Sequence, residues 1–170
     1  MGYNSTVYIG VGSNVGDKAD NCQKGIAAID GTEGCAVEAE SPLYETEPVY
    51  LESQDWFLNG AIRIRTNLEP EALFKRLKEI EHSMGRRPGG DRYGPRVLDL
   101  DILFYEDRVL NEGMLQIPHP ALQERRFVLE PLCDIAPGLV HPVIGQTIES
   151  LLSDLEDGGK EVKKHTLSPD

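Results

Sequence analysis

Two aspartates one residue apart, Asp99 and Asp101, stand inside the run Val97 to Phe104, read as Val-Leu-Asp-Leu-Asp-Ile-Leu-Phe. A Gly94-Pro95 break precedes the run, and its composition and length suit a strand. Successive strand side chains point to opposite faces, so Leu98, Leu100, Ile102 and Phe104 are expected on one side and both aspartates on the other. The carboxylates then stand side by side, roughly 6.6 Å apart along the strand. Like charges held this close raise the energy of the folded state unless a cation or a proton offsets them. With no Cys or His beside them, their oxygens suit a hard cation such as Mg²⁺, which keeps several waters and usually shares its remaining ligands with phosphates. The chemistry expected is metal-assisted handling of a nucleotide.

The residues just upstream fit that expectation. The eleven residues from Arg86 to Arg96 include four arginines, in a chain of net charge -12 where positive charge is scarce. Guanidinium forks match phosphate oxygens, and the glycines and prolines between them suit a loop that closes over a bound substrate. A solvated basic loop beside an acidic edge strand is the plainer alternative.

Other candidates are scattered. His119, between Pro118 and Pro120, has little freedom and lies on no apolar stripe. Asn59 sits among apolar residues of a strand, where it would either bond the backbone or read the edge of a heterocycle stacked on Phe57. Glu81 falls in the last turn of a helix, where the dipole disfavours an anion.

The elements that must position these groups follow from periodicity. Thr6 to Val11 reads as a strand, followed by a turn at residues 12–17 and a helix from about Lys18 to Ile29. Gly10 and Gly12 match the start of a dinucleotide fingerprint, but Val15 fills the third glycine position and no acidic residue follows a second strand, so that reading is rejected. Gly12 and Gly16 are expected to supply unusual turn conformations. Strands are expected at Cys35 to Tyr44 and Trp56 to Arg65. A helix starting near Asn67 and ending at Gly85 carries Leu73, Leu77, Ile80 and Met84 on one stripe. Val109-Leu110 reads as a hairpin partner of the aspartate strand, Ala121 to Phe127 as helical, Phe127 to Ile135 as buried, Thr147 to Leu155 as a last helix, and residues 156–170 as a loose tail. Strand, helix, strand, strand, helix, strand is the order of a ferredoxin-like split βαβ sheet. The fold class expected is α+β: an antiparallel sheet with flanking helices in three α-β-α layers, forming a single domain over residues 1–170.

Composition sets outer limits. A pI near 4.7 argues against general affinity for nucleic acid or anionic membrane. Three cysteines without metal-ligand spacing fit a reducing cytoplasm, and no apolar run or leader suggests a membrane or secretory route. Met1-Gly2 with Thr6 matches a loose myristoylation pattern, but nothing nearby supplies a second membrane signal.

From Tyr8-Ile9-Gly10-Val11-Gly12-Ser13-Asn14 to about Leu152 the chain resembles the 6-hydroxymethyl-7,8-dihydropterin pyrophosphokinase family. The resemblance is most specific at Arg92-x-Gly94-Pro95-Arg96-x-x-Asp99-Leu100-Asp101-Ile102-Leu103. It implies transfer of the β,γ-diphosphate of ATP to the pterin hydroxymethyl oxygen, with two Mg²⁺ ions on Asp99 and Asp101. It further implies that Arg86 and Arg96 act on the phosphates and that Glu81, Ile102, His119 and Arg125 hold the nucleotide. Thr46, the backbone near Val49, Phe57, Asn59, Tyr93 and Phe127 would hold the pterin. Glu47, Met114 and Gln116 depart from the family pattern, which bears on affinity more than on reaction type. The expected partners are the two small substrates, with no nucleic acid, no membrane, no fused pathway segment and a monomeric state. Two alternatives stay open: a catalytically silent metal- or nucleotide-binding module, and a two-metal phosphoryl transferase with another acceptor.

Overall fold

The computed structural model describes residues 4–46, 56–85 and 96–155, and the backbone of residues 162–164. Apolar residues at every second position of three long segments produce a sheet with two usable faces. These are β1 (Ser5–Ser13), β4 (Phe57–Thr66) and β5 (Asp99–Tyr105). β1 lies antiparallel between β5 and β4, and among the described residues β5 ends the sheet. On the far side of β4, the segment expected as one strand forms two, β2 (Cys35–Glu40) and β3 (Tyr44–Thr46). Both pair with β4. The break falls at Ser41-Pro42, where proline has no N–H to give the ladder. Ser41 bridges the gap, its N–H donating to Ala61 C=O and its Oγ accepting the Ala61 N–H, each at 2.9 Å.

One face of the sheet carries α1 (Lys18–Asp30) and α2 (Pro70–Ser83). Val7, Ile9 and Val11 of β1, Ile62 and Ile64 of β4, and Leu100 and Ile102 of β5 pack there against Ile26, Ile29, Leu73 and Leu77. The opposite face carries α3 (Arg126–Ile135) and α4 (Ile148–Ser153). Tyr8, Ala61, Leu103 and Phe104 meet Leu129, Leu132, Ile148 and Leu151 on that side. The result is the expected three-layer α-β-α arrangement, with the strands of the split βαβ order and every long pairing antiparallel.

Several expectations need correction. Phe104 does not share the face of Leu100 and Ile102. The β1–β5 register shifts between Tyr8 and Ile9, so Leu103 is an extra, bulged residue, and Phe104 lands on the α3/α4 face while Tyr105 returns to the other. Val109-Leu110 does not pair with β5. Leu110–Glu112 (β6) instead makes a separate two-stranded ribbon with Leu115–Ile117 (β7), turning at Gly113 with φ +63°. The helix expected from Ala121 is a short 3-10 turn, Leu122–Glu124, before α3, and α2 is capped at Glu69 rather than Asn67. Within the expected loose tail, Val162–Lys164 (β8) pairs with β3. Among the described residues no helix is long and apolar enough to cross a membrane.

Candidate active site

The register places the chemistry in rows across the sheet. Asn59 of β4, Gly12 of β1 and Asp99 of β5 are cross-strand partners, and the next row is Ala61, Gly10 and Asp101. Both aspartates therefore face a strand with no side chain at the two opposing positions. Gly16 takes the left-handed backbone expected of the turn, at φ +73°, but Gly12, contrary to expectation, does not; its small size is needed for space. A Cβ there would lie 2.5 Å from Asn59 Oδ1. Asn59 is held in place by donating from Nδ2 to Thr46 Oγ1 at 2.7 Å, with Thr46 itself buried. Phe57, opposite Thr46 in the register, shares the face of Asn59.

A cavity of about 60 Å³ opens over these rows, lined by Asn59, Asp99, Asp101, His119, Arg125 and Phe127 among others. The Arg125 guanidinium lies 5.5 Å from the centre of the Phe127 ring and occupies its face. On the other side of Asp101 lies a cavity of about 520 Å³, between α2, β5 and the β6–β7 ribbon. Asp101, Ile102 and His119 line it together with Phe74, Lys78, Met114 and Gln116. Asp101 and His119 belong to both cavities. Met114, at the ribbon tip, is 88% exposed.

Electrostatics mark the same two residues. Burial, then the neighbouring charge of Asp99, pushes the Asp101 carboxyl up to about 7, against opposing pulls from Lys78 and Arg125. A site that resists ionising its own carboxylate is one a bound cation would relieve. Among the described residues no third His, Cys, Asp or Glu completes a cage around the pair. Two carboxylates suit Mg²⁺ that takes its other ligands from water and phosphate. Burial and the Arg125 charge pull His119 down to about 4, so its ring is neutral at pH 7. Its Nδ1 accepts the Ala121 N–H at 3.3 Å, which leaves the proton on Nε2 as a donor. The bulge fixes its backbone, because the His119 N–H donates to Leu103 C=O at 3.0 Å.

Glu81, expected as a nucleotide contact, is 1% exposed. Its carboxylate accepts the Leu100 N–H at 2.7 Å, and both oxygens pair with Lys78 Nζ at 3.2 Å. Among the described residues no strand lies on the outer side of β5, and there Glu81 satisfies the amide between the two aspartates that a neighbouring strand would otherwise take. Arg96 enters β5 with its backbone bonded to Asn14. Val49, Arg86 and Tyr93, and the departure at Glu47, lie outside the described residues. Sequence reasoning missed Phe74 and Lys78, which lie on α2 one helical turn apart, with Lys78 Nζ 5.2 Å from the Phe74 ring centre. Their spacing shows only an ordinary helix face. Glycines at positions i and i+2 of one strand were the available signal for the bare row opposite the aspartates.

The architecture has solved counterparts. Crystal structures of Plasmodium falciparum HPPK-DHPS share the fold at TM-scores near 0.7; the wild-type protein with pteroate gives 0.71 at 16% identity, over 90% of this chain and 43% of that one. Sequence relatives are closer. The folic acid synthesis protein fol1 of Schizosaccharomyces pombe is 44% identical over 92% of this chain and 21% of its own length. The 2-amino-4-hydroxy-6-hydroxymethyldihydropteridine pyrophosphokinase of Methylorubrum extorquens is 42% identical over 91% of this chain and 96% of its own length. This chain thus spans about a fifth of the fungal relative and nearly all of the bacterial one. Residues 8–137 match the model of the 7,8-dihydro-6-hydroxymethylpterin-pyrophosphokinase family, and the chain belongs to that family.

Proposed function

We propose that this protein transfers the β,γ-diphosphate of ATP to the hydroxymethyl oxygen of 6-hydroxymethyl-7,8-dihydropterin, releasing AMP. The observation that carries the reading is the pair of cavities meeting at Asp101 and His119, one large enough for a nucleotide and one closed over by Asn59, Arg125 and Phe127. Donor and acceptor would approach each other there. The acceptor hydroxyl oxygen bonds to the β-phosphorus, the bond from that phosphorus to the oxygen shared with the α-phosphate breaks, and AMP leaves while the hydroxyl proton is released.

Asp99 and Asp101 would hold Mg²⁺, two ions in this reading, which when bound neutralise charge on the triphosphate. Neutral His119 donates from Nε2 to a phosphate oxygen, and Arg96 and Arg125 add charge-assisted donors. Asn59 reads the ring edge, with Thr46 fixing its amide. A flat acceptor takes the place of the Arg125 guanidinium on Phe127, which turns that arginine toward the phosphates at the moment the pterin binds. Positioning and electrostatic stabilisation do most of the work in such transfers. The proposal includes a monomeric cytoplasmic enzyme, in keeping with three cysteines that form no disulfide.

Chromatography of protein, Mg-ATP and 6-hydroxymethyl-7,8-dihydropterin tests the reading, with AMP expected in proportion to pterin consumed. Stoichiometric ADP would instead make the protein a phosphoryl transferase, and nucleotide binding without turnover would make it a silent module.

A further inference from the structure

The turn after β1 joins strand to helix and also reaches a distant part of the chain. Pairing of β1 with β5 ends at Gly12 and Asp99. Two residues beyond Gly12, Asn14 meets the chain again at Arg96. The Asn14 N–H donates to Arg96 C=O at 2.9 Å, and Asn14 Oδ1 accepts the Arg96 N–H at 2.8 Å, across 82 positions of sequence. One residue thus holds both polar groups of Arg96's backbone, and its side chain supplies the acceptor that a continued ladder would have offered. Asn14 is 2% exposed, so water does not compete for the bond. The turn is braced in its own right: Asn21 Nδ2 of α1 donates to Ser13 Oγ at 3.2 Å and to Val15 C=O at 2.8 Å.

We infer that Asn14 is a positioning residue, whose buried carboxamide fixes the backbone from which the Arg96 guanidinium reaches the phosphates. The inference rests on the phosphate-contacting role proposed for Arg96. Arg96 lies three residues before Asp99, so a shift of its backbone moves a charged donor relative to the carboxylates. Removing the acceptor of the half-buried Arg96 N–H costs about 1–3 kcal/mol of folding free energy. Misplacing a positioned group by about 1 Å can also lower a rate by about 10². The consequence of losing the carboxamide therefore falls on turnover as well as on the fold, and the two are read separately.

A double-mutant cycle of Asn14→Ala and Arg96→Ala tests this, reading single-turnover AMP formation at saturating substrates alongside thermal melts. Asn14→Ala is expected to slow the step by roughly 10- to 100-fold, to melt cooperatively and to leave the pterin KM unchanged. In the Arg96→Ala background the same change should cost little more. Asn14→Asp, which keeps an acceptor oxygen in place, should recover most of the rate. A wild-type rate in Asn14→Ala, or an equal loss in both backgrounds, overturns the inference, the second outcome making Asn14 a general structural residue. If alanine unfolds the protein, Asn14→Ser, too short to reach the Arg96 amide, takes its place and the same outcomes decide. Wild-type protein that forms no AMP would refute the proposed reaction instead; the cycle is then read on Mg-ATP affinity by calorimetry, where additive losses overturn the inference and shared losses support it.

Discussion

Asp101 is costly in the folded protein. Its acid is held well above the unfolded value of about 3.9 by burial and by Asp99. The sign follows: above the unfolded value the charge forms more readily in the unfolded chain, so ionisation lowers stability as pH rises toward and past the folded value. Asp101→Asn should therefore raise the melting temperature of the metal-free protein at pH 8 while nearly abolishing transfer, and Asp99→Asn should lose transfer with at most a smaller gain. Melts in EDTA beside rate assays check both, and a destabilised Asp101→Asn protein would show that the carboxylate has a hidden structural partner. Gly12 has the opposite character, a residue that matters by being absent. In Gly12→Ala the added methyl displaces Asn59 Oδ1, so the pterin KM should rise about tenfold, near 1.4 kcal/mol, with the ATP KM unchanged.

At the scale of elements, β5 is held along one edge by its ladder to β1 and on the other, at Leu100, by the Glu81 carboxylate. Glu81 gives the clearest test. Glu81→Gln retains an acceptor for the Leu100 amide and should keep most of the rate. Glu81→Ala leaves that buried N–H unsatisfied, at about 1–3 kcal/mol, and should raise the Mg²⁺ needed for half-maximal activity as the aspartate segment loosens. Equal losses in both variants would assign Glu81 to direct nucleotide contact. The shared face of the two aspartates, and that of Asn59 with Phe57, were legible in the sequence because a strand repeats every two residues; that the two faces are one follows from the register with β1. The bulge at Leu103 was not, since an extra residue shifts the alternation without any change in composition. Nor were the break at Ser41 or the β6–β7 ribbon, which depend on which strand offers an edge. Lys78, Phe74 and Asn14 enter the site only through contacts between distant segments, and short-range patterns carry no trace of those.

Across the whole molecule, the α3/α4 layer is closed at one end by a loop that depends on a neutral histidine. His141 is 5% exposed, its Nδ1 accepts the N–H groups of Val143 and Ile144, and its ring meets Phe104 edge-on. Burial lowers its affinity for a proton below the ordinary value. The unfolded chain therefore takes up that proton first as pH falls, and the contribution of His141 is complete above about pH 6.5 and fades below it. His141→Gln should be less stable than wild type at pH 7.5 and should lose less on going to pH 5. Denaturant melts at the two pH values check this, and parallel profiles would remove His141 from the acid response.

The bulge in β5 also makes this strand unusual in how it would respond to a change of length. Removing one residue from a strand ordinarily exchanges inside for outside along everything that follows. Here, deleting Leu103 would restore regular pairing, with Phe104 still opposite Tyr8 and Tyr105 still opposite Val7. The shortened chain would lose Leu103's buried side chain but keep both cores in register, so it should fold with a lowered melting temperature. What disappears is the carbonyl to which the His119 amide is tied, and with it the backbone anchor of the ring shared by the two cavities. Length at this one position is thus a property that the fold can give up and the chemistry cannot, and a deletion variant that melts cooperatively yet transfers no diphosphate would show the two requirements coming apart.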